Sequence, residues 1–413
     1  MEENNTPFLT KTFQNIWRKH FISNKTIQTF KFIDGVNFYK NNFRIYTNIG
    51  KNLTKGNIYN LIHENDYKNT TLLIYDVLPH LTKKQNTNNT QKNIGVLKSK
   101  QYTGFLIQLD KFKSIDDYLL NTFSKNTRMK MRKFNKRLET CFNISTKMFF
   151  GHIEKQEYDF IFENFMALLQ KRYSEKEISY NNMQPKEWNF YKDVAYPLIL
   201  EKKASLFIIY NNNTPIAVTY NYHTQDSVID AITVYDTNYS KFNIGYVNNL
   251  KLISWCFDNK IKTLDFSKGY FDYKKRMSTL EYDFEYHILY DKASIVSKIK
   301  AFGYYNFFKI KAYLRNKDYN SKFHKISYKL KNKSAPKENF EIIKLAKLPE
   351  SYLLNRIDIM DNTKYNFLKR HVNNFLYLIV KPYNQIQLFE VKNINNTYIL
   401  SSNSLIQQLT FTN

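Results

Sequence analysis

The stretch SLFIIYNNNTPIAVTYNYHTQDSVIDAITVYDTNYSKFNIGYVNNLKLISWCFDNKIKTLDFSKGYFDYKK, residues 205–275, decides the fold. It opens with three β-rich runs, Ser205 to Tyr210, Pro215 to His223 and Ser227 to Tyr235, joined by the polar turns Asn211-Asn212-Asn213-Thr214 and Thr224-Gln225-Asp226. Runs of β-branched and aromatic residues broken by Asn, Thr and Asp predict an antiparallel meander. A polar loop, Asp236 to Asn243, then leads to a helix from about Gly245 to Asp258 and a buried strand from Lys262 to Ser267. A short helix, Tyr273 to Ser278, and a last strand, Tyr282 to Tyr290, close the unit.

Upstream, Glu154 to Tyr173 has the period of an amphipathic helix through Phe162, Phe165, Met166 and Leu169. Pro185 suits the first turn of a second helix through Trp188, Tyr191 and Leu198. Further back, Ser114 is a candidate N-cap with Asp116 and Asp117 in its first turn. A basic helix follows, Ser124 to Leu138, in which Met131, Phe134 and Leu138 can pack while Arg128 to Arg137 present cations, to solvent or to an anion. Residues 1 to 110 carry strand-like runs at Phe30 to Ile33, Phe43 to Tyr46, Thr71 to Val77 and Gly104 to Leu109, with few helical periods, and residues 80 to 98 read as a flexible loop. Downstream, Lys292 to Lys333 alternates aromatics with cations and holds Asp318 as its one acid; such a segment suits an anionic membrane surface, a nucleic-acid backbone, or simple packing with its lysines in water. After Ser334-Ala335-Pro336 the pattern predicts a small α+β module, with a helix near Leu354 to Val372 and strands near Leu376 to Val380, Gln387 to Val391 and Thr397 to Leu400.

Composition bounds the answer. A chain of 413 residues has room for two or three domains and needs no staples. Cys141 and Cys256 lie far apart without metal-ligand spacing, which points to buried thiols in a reduced, intracellular protein and to no metal site. The net charge of +26 attracts phosphates of any kind. The same Lys- and Asn-rich, Gly- and Pro-poor composition is what an AT-rich coding sequence produces without selection for binding, so the charge alone assigns no partner. No apolar run reaches the roughly 18–20 residues that span a bilayer, and the start MEENNTPFLTKTF lacks the pattern of a signal peptide. The expectation is a cytoplasmic protein, soluble or peripheral to the inner face of the membrane.

The order helix, helix, three-stranded meander, helix, strand, helix, strand resembles the GNAT fold, and the residues resemble its CelD-like acetyltransferase branch over roughly 120 to 290. The resemblance rests on the basic helix with Arg128 to Arg137, on Thr214-Pro215-Ile216-Ala217, on Tyr235-Asp236 leading through Tyr239-Ser240 to Gly245, and on Asp265-Phe266-Ser267-Lys268-Gly269-Tyr270-Phe271-Asp272-Tyr273-Lys274. It implies an α/β, GNAT-like mixed sheet with splayed central strands, built as two GNAT-like halves with a small C-terminal α+β appendage. The implied domains are 1–113, a degenerate half; 114–291, the catalytic domain; 292–335, the basic aromatic segment; and 336–413, the C-terminal module. In such a fold Ser227 to Tyr235 and Lys262 to Ser267 diverge, freeing backbone groups for the pantetheine arm of acetyl-CoA or another acyl-CoA. The helix start near Gly245 then faces the pyrophosphate, with Val234, Tyr235, Lys241, Asn243, Gly245 and Tyr246 as the cofactor contacts.

Superfamily members that use acetyl-CoA usually show Gln/Arg-x-x-Gly-x-Gly/Ala at that turn, whereas Gly245 stands here between Ile244 and Tyr246. Fem-type peptidoglycan-bridge transferases share the fold, use aminoacyl-tRNA and have an aromatic-Lys pair resembling Tyr273-Lys274. By resemblance Lys274 stabilises negative charge in the reaction, Tyr273 or Tyr270 gives a proton to the leaving thiolate, and Arg128, Asp265, Lys268 and Tyr270 meet the acceptor. The candidate bases are Asp230, His223 and Asp265. Asp230 lies between Ile229 and Ala231, where burial would raise its pKa, unless it faces solvent on the polar side of the strand; His223 is otherwise a strand-end surface residue. Lys274→Ala is expected to abolish turnover with the fold intact, on the premise that a surface or cleft lysine contributes little core area.

Three functions compete. The first is transfer of an acyl group from acyl-CoA to an amine or hydroxyl of a cell-envelope or polysaccharide precursor. A Fem-like transferase using aminoacyl-tRNA is favoured by the charge, but no heptad run marks the helical arm such proteins often carry. The third is a non-catalytic protein binding membranes or nucleic acid through Lys292 to Lys333.

Overall fold

The computed structural model describes residues 6–79, 81, 93–316, 339–359 and 363–412. It opens with α1 (Lys11–Phe21), whose first turn is held by the Thr10 hydroxyl accepting from the Phe13 amide. Four short strands follow, β1 (Ile33–Asp34), β2 (Phe38–Lys40), β3 (Tyr46–Asn48) and β4 (Asn60–Leu61), then the longer β5 (Thr71–Val77) and β6 (Ile94–Gln108). Ser114 caps α2 (Ile115–Thr122) and Ser124 caps α3 (Lys125–Cys141), each hydroxyl accepting an amide three residues on. Next come β7 (Ile144–Phe149), α4 (Lys155–Glu175) and α5 (Pro185–Leu200), the last with proline in its first turn.

The meander is β8 (Ala204–Asn211), β9 (Thr214–His223) and β10 (Ser227–Tyr235); Asn212, at φ 51°, makes the tight turn between the first two. It is followed by α6 (Ile244–Asp258), β11 (Thr263–Lys268), α7 (Asp272–Met277), β12 (Leu280–Asp291) and α8 (Ile295–Asn316). The C-terminal module comprises β13 (Asn339–Leu345), β14 (Leu354–Arg356), α9 (Lys369–Ile379), β15 (Gln387–Val391), β16 (Thr397–Ser401) and β17 (Ile406–Thr412).

Ten strands form one mixed sheet in the order β2-β3-β5-β12-β6-β11-β10-β9-β8-β7, parallel at β3/β5 and β10/β11. The period of two along each strand feeds two cores. On one face Ile208, Val218 and Tyr220 meet Phe162 and Phe165 of α4 and Trp188 and Leu198 of α5. On the other, Phe207, Ile209 and Leu264 meet Leu252 and Cys256 of α6 and Leu138 of α3. Each such side chain, fully buried, stabilises the fold by about 1.5–3 kcal/mol. Strand β9 is therefore buried along nearly its whole length. Strand β12 crosses from the C-terminal end of the α/β unit to lie between β5 and β6. The C-terminal module builds its own five-stranded sheet, β13-β17-β16-β15-β14, and sends Val372, Phe375 and Leu376 of α9 into the core beside Phe242.

Several expectations need correction. Helix α1 stands in a region that shows few helical periods. The chain does not extend through Phe43 to Tyr46 but turns at Arg44, φ 55°, before β3. Of the segment read as a loop, residues 94–98 belong to β6 and pair with β12, while His80 and residues 82–92 lie outside the described residues. Where the sequence predicts a helix near Leu354 to Val372, the chain forms strand β14 and, further on, α9, and α9 takes in Leu376 to Ile379, where the pattern predicts a strand. A short apolar run such as FLYLIV fits a buried helix as readily as a strand. Residues 317–338, including the end of the basic aromatic segment, lie outside the described residues.

Candidate active site

Strands β10 and β11 begin as a parallel pair and then part. Their register runs Ser227↔Thr263, Val228↔Leu264 and Ile229↔Asp265, and goes no further. Beyond that level β10 bulges, with Asp230 opposite Asn221 and Ile232 opposite Tyr220, so that Ala231 is the extra residue. On the other side β11 loses register with β6 between Asp265 and Lys268, where Ser267 adopts φ 59°. Both strands thus bend away from each other at one level. The carbonyl of Thr233, past the fork, accepts from Nη1 of Arg172 at 3.3 Å. A cavity of about 440 Å³ fills the gap, lined from β10 by Asp230, Ala231 and Thr233 and from β11 by Phe266, Ser267 and Lys268. Three non-glycine residues at this place, Asp76, Asn243 and Ser267, have φ of 57°, 51° and 59°, the kind of local strain that concentrates at working sites.

Charge lies beneath the cavity. Asp230 is 6 % exposed, lines the cavity and accepts from the Thr233 hydroxyl at 2.9 Å. Burial raises its pKa, against the opposing pull of Lys274, the Thr233 bond, Lys55 and Arg172. Asp265, at the fork, accepts from the Tyr282 hydroxyl at 2.6 Å and the Ser267 amide at 2.7 Å; burial nevertheless pushes it up to about 6. Lys274 donates to the carbonyls of Phe266 at 2.6 Å and Lys268 at 3.2 Å. Two of its three N–H donors are so occupied, which leaves one for the cavity it lines. Burial lowers its pKa while Asp230 and Asp265 hold it up. Being 7 % exposed, Lys274 is a buried residue of the cavity wall that pins the diverging end of β11, and not a surface lysine.

The N-terminal region supplies the remaining floor. Asp76, fully buried in β5, pairs with Nζ of Lys268 at 2.5 Å and accepts from Gln101 at 2.6 Å and Thr54 at 3.2 Å. Lys55 reaches the cavity from the loop before β4, its pKa lowered to about 8 by burial and by the neighbouring Lys268.

The mouth is formed where the chain leaves β10. A 3-10 turn over Thr237–Phe242 ends at Asn243, whose carbonyl accepts the amides of Tyr246 and Val247; those of Ile244 and Gly245 remain for a ligand at the start of α6. Gly245 has a helical φ, and its value is spatial: a Cβ there would stand 2.8 Å from Cε1 of Tyr235. The guanidinium of Arg172 lies 4.3 Å over that same ring. The C-terminal module braces the turn from behind, with Nδ2 of Asn373 donating to the Asn238 carbonyl at 3.2 Å and Tyr377 packed edge-on against Phe242.

The cavity therefore gathers Asp230, Tyr235, Asn243, Gly245, Tyr246, Lys268, Tyr273 and Lys274. Asp265 sits just beneath, held to Ser267. Other candidates fall elsewhere. His223 is on the paired side of the fork, buried against Phe150 and Trp255 with Nε2 2.8 Å from the Ser205 hydroxyl, and burial depresses its imidazole to about 3. Arg128 donates to the Phe123 carbonyl at 2.5 Å and closes the α2–α3 junction. Val234 points into the α4–α5 core; Lys241 is exposed, and Tyr270 is 65 % exposed with its edge on Phe105, neither lining the cavity. Sequence reasoning missed Arg172, Lys55 and Asp76, which come from α4 and from the N-terminal region. It also missed the Ser267 hydroxyl, a buried oxygen without a protein partner on the cavity wall. Nothing in their local sequence sets them apart from the many other Lys, Arg and Ser. Among the described residues no group of three or more His, Cys, Asp or Glu is placed to hold a metal, and no helix is long and apolar enough to cross a membrane.

Residues 125–275 match the family model described as an acetyltransferase (GNAT) domain. No curated protein matches the chain. Similar solved structures include a conserved protein of unknown function from Bacteroides thetaiotaomicron VPI-5482, 10% identical, covering 70% of this chain and 93% of its own, with a TM-score of 0.45. FemX is 10% identical over 69% of this chain and 92% of its own, TM-score 0.47. The C-terminal domain of a putative lysylphosphatidylglycerol synthetase from Agrobacterium fabrum is 6% identical over 70% and 90%, TM-score 0.40. Likenesses of that degree say nothing of substrate. Residues 125–275, which match that family model and contain the forked parallel pair, have a GNAT-type fold set in a larger mixed sheet.

Proposed function

We propose that this chain is an acyltransferase of the CelD-like kind, taking an acyl group from acyl-CoA held in the β10/β11 fork and delivering it to an amine or hydroxyl of a cell-envelope or polysaccharide precursor. The observation that carries the reading is the fork itself, a slot of about 440 Å³ walled by residues of both strands and holding an unpartnered Ser267 hydroxyl. A slender chain of amides fits such a slot by pairing with strand edges. The amides of Ile244 and Gly245, with Arg172 beside them, face the place where phosphates would lie. The thioester supplies the activated carbonyl; the protein binds, orients and moves protons.

In this scheme Asp230, in its carboxylate form, accepts the proton of the attacking amine or hydroxyl. The new C–N or C–O bond forms as the C–S bond breaks, and Tyr273, its pKa raised by burial, gives its phenolic proton to the departing sulfur. The proton taken by Asp230 then restores the phenol. The spare N–H of Lys274 and the backbone at the Ala231 bulge face the carbonyl oxygen as charge develops there. Asp265, hydrogen-bonded to Tyr282 and to Ser267, fixes the wall of the slot.

Thermal unfolding with acetyl-CoA, and separately with tRNA, tests the donor. Acetyl-CoA at a hundred times its Kd should stabilise the fold by about 2.7 kcal/mol, and Gly245→Val should weaken that binding about tenfold or more, because overpacking of this sort costs about 1–3 kcal/mol. The added side chain would push the Tyr235 ring into the slot. Stabilisation by tRNA alone would replace the donor with aminoacyl-tRNA, and equal affinity in Gly245→Val would place the phosphates elsewhere.

A further inference from the structure

Helix α8 bears an apolar stripe turned away from the protein. Its inward side is set by Ala301 and Phe308, packed on Tyr75, Tyr286 and Ile288, with the Phe308 ring stacked 3.9 Å from that of Tyr286. On the opposite side Ile295, Ile299 and Ile310 are 72%, 68% and 60% exposed, and Phe302 is 47% exposed in line with them. Ile299 and Phe302 follow at spacings of four and three residues, and Ile310 lies eight further on, past Asn306, so that all four share one face. Val296, Phe307 and Leu314 widen the stripe, all of them exposed. Single exposed apolar residues are ordinary; an apolar band along a helix of 22 residues, interrupted on its face by Gly303 and Asn306, marks an interaction surface.

The charges say what docks. With about 3.6 residues per turn, Lys298 and Lys309 fall along one edge of the stripe and Lys300 and Lys311 along the other. No acidic residue occurs between Ile295 and Asn316. An apolar centre bordered on both sides by lysines matches a helix lying in the interface of a bilayer, its apolar face in the acyl region and its ammonium groups at the level of the phosphates. A second copy of this helix would bring lysine edges against lysine edges with no acid to answer them. A nucleic acid would leave the isoleucines in water. We propose that α8 seats this protein on an anionic lipid surface, with Ile299 and Ile310 inserted and the flanking lysines on lipid phosphates. This inference does not depend on which acyl donor or acceptor the cavity takes.

Cosedimentation of the full chain with vesicles tests it. The wild type should sediment with vesicles of equal parts phosphatidylcholine and phosphatidylglycerol and not with phosphatidylcholine alone. Ile299→Asn combined with Ile310→Asn keeps the net charge and should weaken binding at least tenfold, and Lys298→Gln with Lys309→Gln should weaken it about fivefold per cation removed. These side chains are exposed, so the melting temperature should hold. As an independent readout, Phe307→Trp should give blue-shifted fluorescence on the anionic vesicles. Undiminished binding by the asparagine variant would show general charge at work and overturn the proposal. So would failure of the wild type to sediment, or a wild-type dimer that the asparagine variant converts to monomer.

Discussion

Asp230→Asn is expected to lower acyl transfer by about 10²–10⁴-fold, the range over which a positioned general base acts, and to leave the protein folded. Asparagine keeps an oxygen for the Thr233 hydroxyl, now 2.9 Å from the carboxylate. It cannot take the acceptor's proton. Stability should hold or rise, since burial disfavours the charge at this position, as the raised pKa shows. The wild-type rate should also fall on acidification as the buried carboxylates, both raised by burial and Asp265 to about 6, take up protons. The stability term has the opposite sense. A carboxyl whose folded-state pKa is raised binds protons more readily folded than unfolded, so lowering the pH from above 6 toward the ordinary carboxylate range adds stability through Asp265. Rate and stability should therefore move in opposite directions over that interval. A variant Asp230→Asn that transfers acyl groups at the wild-type rate would remove this residue from the chemistry.

Much of the site was legible in residues 205–275 because their order is local. The turns Asn211 to Thr214 and Thr224 to Asp226 separate three strands whose hydrophobic runs are long enough to fix the meander, and the single glycine before Tyr246 marks the start of α6. What could not be read was anything supplied from a distance. Asp76 sits in an apolar strand, and neither its left-handed backbone nor its pairing with Lys268, nearly two hundred residues on, leaves a mark in the neighbouring sequence. Arg172 reads as the polar face of an amphipathic helix, and only the packing of α4 over β10 turns it onto Tyr235. His223 misled for the complementary reason: a histidine at a strand end looks solvated until Phe150 and Trp255 close over it. In the C-terminal module the strands Gln387 to Val391 and Thr397 to Leu400 were legible, but the stretch before them failed at the level of period, since short apolar runs flanked by asparagine serve helix and strand alike, and the core under Phe242 selected the helix.

Lys274→Ala should both stop transfer and destabilise the protein by about 3–5 kcal/mol, the usual cost of removing one partner from a buried charge cluster. This reverses the expectation that the variant folds normally, and the reason is local. The ammonium satisfies the carbonyls of Phe266 and Lys268 where β11 has left its parallel partner, so alanine leaves two acceptors unpaired at that bend. It also withdraws the cation that holds down the pKa of both Asp230 and Asp265. Those carboxylates should then stay protonated to higher pH, and the base would be lost along with the charge that faces the carbonyl oxygen. A double-mutant cycle separates the two effects. In Lys274→Met with Asp230→Asn one buried carboxylate is already neutral, so the two changes together should cost less stability than the sum of each alone, by about 0.5–3 kcal/mol, the coupling measured for residues in direct contact or one charge network. Urea unfolding of the four proteins gives the number. Strict additivity would show that Lys274 and Asp230 do not interact across the fork, and an unchanged midpoint for Lys274→Ala would show that the β11 end holds its bend without it.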